Sequence, residues 1–378
     1  MPHTSVRRTS LTLAALALAL ACRQDERPAT ATAVADSSGA AQGAAGDPFA
    51  SDSGGLAEYL PPTAADSARR ARLYAAITPE AVNAARGLSL VAGDSTGPDV
   101  LRVQVMLDAA GFSPGIMDGH WGHNSATALR SFQAASRLRP SGALDEPTLQ
   151  QLLRATGGRA AIVPYSVTAD DVKGPFTTIP ESPYEQAELD CLCYESAAEA
   201  LAERFHSTPE LLAQLNGVPR LAPVRAGQRL WVPDVRRPDS AGAVARLVIS
   251  RRGGFTQGVT ADGSILFHFP STLGNQYDPS PSGRFTVSRI ALDPEFHYNP
   301  KLYAEVPDWK EDAMLQPGPN SPVGTVWIAL SEPHYGIHGT AHPETIGYAS
   351  SHGCVRLTNW DARWLAEHVA EGTPVEFR

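Results

Sequence analysis

Cysteine is scarce in this chain of 378 residues: four occur, at positions 22, 191, 193 and 354. Cys22 ends an N-terminal apolar run and Cys354 stands alone. Cys191 and Cys193 are separated by one residue, so a ring between them would be strained, and no conventional disulfide framework is left to hold a fold together. Spacing alone leaves open whether those two pair, stay as thiols or reach another chain. Charge is also sparse, at 19% of residues with a net charge of −9 and a pI near 5.7. A nucleic-acid partner favours a basic balance, and none is visible. The apolar run from Leu11 to Ala21 is far too short to span a bilayer. Glycine and proline, by contrast, are abundant, at 32 and 31. They suit turns, β structure and linkers more than a helical bundle, and the length predicts two or three domains.

Residues 1–22 read as an export signal: Arg7 and Arg8 form the charged start, the apolar run follows, and Ala21 precedes Cys22. This ending resembles the lipobox of bacterial lipoproteins, although Ala19 stands where that family favours Leu. The resemblance implies a lipidated Cys22 and a membrane partner reached through that anchor. An ordinary cleavage site near Ala21 is the alternative. The Arg pair also touches on twin-arginine export, against which Ser10 speaks. Localisation is therefore expected in the periplasm. Arg23, where many such proteins carry a retaining aspartate, points to the outer membrane. Residues 23–90 read as a flexible tether, poor in large apolar side chains. Within it, 64–90 carry signals for a helix or two, with Thr78-Pro79-Glu80 as a start.

Residues 97–155 form a first compact module. Val100, Val103, Leu107 and Ala110 recur at helical spacing; Asn124 or Ser125 caps a second helix with Ala128, Leu129 and Phe132; Asp145-Glu146-Pro147 opens a third. The loop Gly115 to Gly122 and the Phe132-Gln133 pair resemble the peptidoglycan-binding domain 1 family, a three-helix unit. Asp118 reads as a turn-maker, and Trp121 as an aromatic face open to a sugar or to the core. After a connector at 156–188, residues 189–235 offer two short helices, around Leu201 and Leu211, and a turn into Leu230-Trp231-Val232. That order resembles a LysM domain, which recognises N-acetylglucosamine-containing glycans, but Glu195-Ser196-Ala197 replaces the usual Gly-Asp-Thr.

Residues 244–378 alternate β-branched or aromatic runs with Gly and Pro turns, which predicts a mainly β domain. A helix that Asn359 or Thr358 can cap follows, with Trp360, Trp364 and Leu365, its aromatics read as core. The chemistry concentrates in Ile337-His338-Gly339-Thr340 and Ser351-His352-Gly353-Cys354-Val355-Arg356-Leu357. A thiol becomes an acyl-transfer nucleophile when a histidine takes its proton, and His338 and His352 are both available. Gly353 permits a sharp turn whose amides can serve as an oxyanion hole. These two motifs resemble the signature of the L,D-transpeptidase (YkuD) catalytic domain, together with Pro281-Ser282-Gly283-Arg284-Phe285 and Pro319-Asn320-Ser321-Pro322-Val323-Gly324.

The resemblance implies Cys354 as nucleophile and His338 as general base, its ring oriented by a carbonyl such as that of Gly339. His352 is a supporting group or alternative base. Arg356 would hold a substrate carboxylate, or a structural salt bridge, with Ser351 and Thr340 in support. It further implies peptidoglycan as partner, no cofactor, and transfer from a tetrapeptide stem to an acceptor amine giving 3→3 cross-links. Hydrolysis, attachment of a protein or D-amino acid, and a non-enzymatic wall-binding role are the alternatives. A zinc site of His338, His352 and Cys354 is weaker: His334, His338 and His342 fall at helical spacing, but the Pro and Gly residues among them break such a helix. The expected fold class is multidomain α+β: a three-helix module, a LysM-like βααβ module and a mainly β, YkuD-like catalytic domain.

Overall fold

The computed structural model describes residues 64–85, 95–240, 242–302 and 311–378. The export signal, Cys22 and the tether up to residue 63 lie outside the described residues. The part of the tether that is described is not one: α1 (Ala64–Ala75) and α2 (Pro79–Ala84) are helices. Thr78 caps α2, its Oγ1 accepting the Ala81 N–H at 3.2 Å, with Pro79 in the first turn. Ile77 and Val82 are buried against Leu101, Val105 and Leu211. Two large aliphatic side chains within six residues are enough to dock a segment whose average composition is polar.

Helices α3 (Pro98–Ala109), α4 (His123–Ala135) and α5 (Glu146–Ala155) form the first module, around Val103, Leu107, Phe132 and Leu152. Asp145 caps α5 through the Thr148 N–H at 2.9 Å. The second helix starts earlier than its sequence signal, with Gly122 as cap. Asn124 is thereby released and donates its Nδ2 to the Ile346 carbonyl, 2.8 Å away. Asp118 makes the turn, accepting from the His120 N–H at 2.8 Å. Trp121 is a correction to the sugar-facing reading: it is 5% exposed and belongs to the module's core.

Strand β1 (Ile162–Ser166), α6 (Pro183–Gln186), α7 (Ala197–Arg204), α8 (Pro209–Leu215) and β2 (Arg229–Pro233) follow, with β1 antiparallel to β2 from Ile162↔Pro233 to Ser166↔Arg229. The first strand lies in the stretch read as a connector. Pro164 hid it, since proline lacks a ladder donor; a two-stranded ribbon has only edges, where proline is tolerated. Cys191 and Cys193, left open by the sequence, form a disulfide.

The last module contains β3 (Arg246–Ser250), β4 (Phe255–Val259), β5 (Ile265–Pro270), β6 (Gly283–Leu292), β7 (Phe296–Tyr298), β8 (Ala313–Leu315), β9 (Val326–Leu330), β10 (Gly336–His338), β11 (Val355–Arg356), α9 (Asn359–His368) and β12 (Pro374–Phe377). One sheet runs β11-β10-β9-β6-β12-β3-β4-β5. Leu247, Ile249, Phe267, Phe269, Ile328, Ile337 and Leu365 fill its core. Trp364 packs edge-on against Phe267 and Phe269, and Trp360 is 9% exposed and stacked on His206.

The modules are tied by groups that no single one could satisfy. Strand β5 is an edge of the sheet, and the first module covers it: the His268 N–H donates to Gly111 O at 3.1 Å and the Ser113 N–H to His268 O at 2.8 Å. Arg237, 5% exposed at its side chain, reaches Asp108 of α3 at 2.5 Å and Asp361 of α9 at 2.6 Å. His206 of the second module lies 3.0 Å from the same Asp108, and Ser113 donates to Asp361 at 2.8 Å. Burial alone would raise the Asp108 carboxyl, but Arg237 and His206 outweigh it and hold it at about 2.

Two buried histidines give stability a pH dependence of known sign. Desolvation holds His268 at about 3 and His338 at about 4, against an ordinary 6.5. Above pH 6.5 neither folded nor unfolded chain binds these protons, so they have no effect there. Below it the unfolded chain is protonated first. Stability is therefore lost as pH falls from about 6.5 towards 4. Glu203, raised to about 7, works in the opposite direction over this window. Urea unfolding at pH 7.0, 5.5 and 4.5 should therefore show a smaller loss on acidification in His268→Gln than in the wild type; the same pH dependence in both would contradict it.

Candidate active site

The local fold brings the two separated motifs together. β10 pairs in parallel with β11, Ile337 opposite Val355 and His338 opposite Arg356, and antiparallel with β9, His338 opposite Trp327. Side chains alternate along strands, so Ile337 and Val355 enter the core while Trp327, His338 and Arg356 share the other face. One residue before β11, Cys354 comes beside Gly336. The thiol and the imidazole thus leave neighbouring strand ends on one side of the sheet. Trp327 stacks on His338, with ring centroids 5.3 Å apart and planes within 20°. A Cβ on Gly336 would lie 2.7 Å from the Trp327 ring, so only glycine keeps this platform flat.

His338 is 5% exposed, and its Nδ1 donates to the Gly339 carbonyl at 2.7 Å. That bond assigns the proton to Nδ1 and leaves Nε2 as the acceptor. Burial lowers the imidazole to about 4, with the Arg356 charge adding to the effect. Cys354 is half-buried and unbonded to another cysteine. Desolvation raises its thiol, opposed by the Gly336 N–H and by the positive charge of Arg356. Its Sγ donates to the His334 carbonyl at 3.6 Å. His334 has a φ of +69°, in the left-handed region. Burial thus favours the uncharged form of both groups.

The turn before Cys354 is held by Ser351, 2% exposed, whose Oγ donates to the Cys354 carbonyl at 2.5 Å and accepts the Gly353 N–H at 3.2 Å. Gly353 has a φ of +104°, and a Cβ there would meet Tyr335 at 2.8 Å. Its amide points at Ser351 Oγ, into the turn. His352 is exposed, whereas Thr340 is buried, with its Oγ1 accepting the His342 N–H at 3.2 Å. Arg356 N–H donates to Thr272 O at 2.9 Å, fixing the strand that carries it. Its side chain lines a cleft of about 600 Å³ with Thr340, His342, Asn320, Glu195 and Glu199. The cleft therefore has catalytic-domain residues on one wall and residues of the second module on the other.

Sequence reasoning missed Asn359 as a site residue, reading it only as a possible helix cap. Thr358 is the cap, its Oγ1 accepting the Asp361 N–H at 3.2 Å. Asn359 faces inwards instead. Its Oδ1 accepts the N–H groups of Thr340 at 3.1 Å and Thr325 at 3.2 Å, one from each loop flanking β9 and β10. A Cβ on Gly339 would lie 2.1 Å from that oxygen, and one on Gly324 1.9 Å. Those two glycines, already visible in the motifs, were the available signal. Trp327 was legible too, from the alternation in Val326-Trp327-Ile328-Ala329-Leu330, had the unburied face been asked for a purpose.

Residues 245–377 match the L,D-transpeptidase catalytic domain, YkuD, and residues 96–152 match a family described as "Putative peptidoglycan binding domain". The "Putative L,D-transpeptidase YkuD" of Bacillus licheniformis is 31% identical over 177 residues, which are 47% of this chain and 90% of that protein. "Probable L,D-transpeptidase YbiS" of Escherichia coli is 38% identical over 93 residues, 24% of this chain and 30% of that one. Among solved structures, the L,D-transpeptidase from Xylanimonas cellulosilytica (residues 123–326) aligns over 75% of this chain and 95% of its own, at 18% identity and a TM-score of 0.33. Fold and motifs together define a catalytic domain of peptidoglycan transpeptidation joined to a peptidoglycan-binding domain. This chain belongs to the L,D-transpeptidase family, and its function is the cross-linking of peptidoglycan.

Proposed function

We propose that the cross-linking runs by acyl transfer through Cys354. The observation that carries this is the pairing of β10 with β11, which sets an Nδ1-protonated His338 and the Cys354 thiol on one face of the sheet. As Sγ attacks the carbonyl of the third residue of a tetrapeptide stem, its proton passes to His338 Nε2. The tetrahedral oxyanion is met by the Cys354 amide, with Gly353 shaping the turn. The C–N bond to the terminal D-alanine breaks, the proton goes to the leaving amine, and a thioester remains. An acceptor amine then attacks the thioester carbonyl, gives a proton to His338 and releases the thiol, forming a 3→3 link. The energy of the broken peptide bond is held in the thioester, so no cofactor is required.

Arg356, in the cleft beside Thr340, fits the carboxylate of a stem. His352, exposed beside the nucleophile, serves the oxyanion or the entering substrate rather than the thiol proton. We read the second module, in which β1 and β2 flank α6, α7 and α8, as a LysM-like unit that supplies affinity for glycan beside the peptidoglycan-binding domain. Lipidation of Cys22 would tether the enzyme in the periplasm, at the outer membrane.

Mass spectrometry of residues 23–378 mixed with disaccharide-tetrapeptide tests the reaction. An adduct equal to the substrate minus D-alanine, followed by a 3→3 dimer, is the expected result. The adduct with only tripeptide product would make water the acceptor and the chain a carboxypeptidase. Neither adduct nor product would sink the proposal.

A further inference from the structure

Asn359 is fixed on its outer side by the second module. Its Nδ2 donates to Glu203 of α7, 3.2 Å from Oε1 and 3.1 Å from Oε2, and to the Pro319 carbonyl at 3.0 Å. Glu203 is itself held by Tyr194, whose hydroxyl donates to Oε1 at 2.8 Å. On the inner side the Asn359 Oδ1 carries Thr340 and Thr325. Every one of these bonds requires the same orientation of the amide: reversed, its NH₂ would face two N–H donors and its oxygen would face a carbonyl and a carboxylate. The residue between His338 and Thr340 is Gly339, whose carbonyl selects the His338 tautomer. Glu203 and His338 thus sit at two ends of one continuous hydrogen-bonded path through Asn359.

We propose that Glu203 is a positioning residue for the transfer reaction, acting from the non-catalytic module through Asn359 to hold Gly339 where it fixes His338 with its proton on Nδ1. The inference rests on the reading of His338 as the base. Geometry gives it its specificity. The remaining polar contacts of Asn359 come from the catalytic domain, but only the carboxylate arrives from α7, so docking of the second module completes the support behind the histidine. Burial raises the Glu203 carboxyl to about 7, against two stabilising hydrogen bonds. A neutral carboxylic acid still offers an oxygen to the Asn359 NH₂, so the support does not depend on its charge.

The test uses the full chain with Glu203→Ala and Glu203→Gln. Glutamine keeps an acceptor oxygen for Asn359; alanine does not. We expect Glu203→Ala to lower the rate of Cys354 acylation by roughly tenfold, the worth of about 1.4 kcal/mol, with the KM of the donor nearly unchanged. Glu203→Gln should recover most of that loss. In ¹⁵N-histidine spectra the wild type should show His338 protonated on Nδ1, and Glu203→Ala a mixture of tautomers. Wild-type acylation and an unaltered His338 signal in Glu203→Ala would overturn the inference. So would equal losses in both variants that simply follow a fall in thermal stability. A wild-type chain that forms no adduct would instead defeat the proposed reaction, and the tautomer spectra would still decide the role of Glu203.

Discussion

Cys354→Ala is expected to abolish covalent capture of a tetrapeptide stem altogether, because no other thiol lies at the site and the remaining cysteines of the described residues are bonded to each other. His338→Ala should slow acylation by roughly 10²- to 10⁴-fold, the usual contribution of a positioned acid–base group. His352→Ala should cost much less, since that side chain is exposed, whereas His338 is buried and stacked on Trp327. The pH profile separates the two further. With His338 held at about 4, the acid limb of the acylation rate should lie well below the ordinary histidine range and vanish in His338→Ala. Intact activity in His338→Ala with loss in His352→Ala would show that the base has been misassigned. The measurement is the rate of adduct formation by mass spectrometry from pH 4 to 8, with both variants checked for folding.

Arg237→Met should be the most destabilising single change outside the active site. It removes the buried guanidinium shared by Asp108 and Asp361 and leaves the two carboxylates close together, with His206 still beside Asp108. Burial already raises Asp361, and the largest of the effects opposing it is lost with Arg237. Breaking one partner from a buried ionic cluster costs about 3–5 kcal/mol, readable as a lower urea midpoint. Arg237 also lies over the Phe269 ring at 5.3 Å, so some packing is lost with the charge. A triple variant with Asp108→Leu and Asp361→Leu added should regain part of the loss, because no buried charge then remains without a partner. Wild-type stability in Arg237→Met would mean that the network contributes nothing to holding the modules together.

Much of the site was legible because its chemistry is written in short contiguous motifs. Gly353 had to be glycine for a turn at a φ of +104°, and the spacing of His338 and Cys354 suited two strand ends joined by a loop. The capped helix starts at Thr78 and Asp145 were legible for the same reason: a cap is a local hydrogen bond within four residues. Trp121 was not. Its loop is rich in glycine and looks exposed, yet Leu129 and Phe132 arrive from a helix after it and enclose the ring in one core.

What the sequence by itself determined is therefore local: the histidine and cysteine motifs, the turns, the helix caps, the alternating strands and the family they belong to. What only the tertiary structure decided is how remote polar groups satisfy one another. Asn359 looked like a cap and became the support of two loops. Glu203 carries no local signal in the sequence and reaches that support from another module. Asp108, His206, Arg237 and Asp361 are spread over more than 250 positions of the chain and meet in one buried cluster. The physical reason is that capping, turns and periodicity are satisfied within a few residues, whereas a buried charge or amide must find its partner wherever the packed chain brings one.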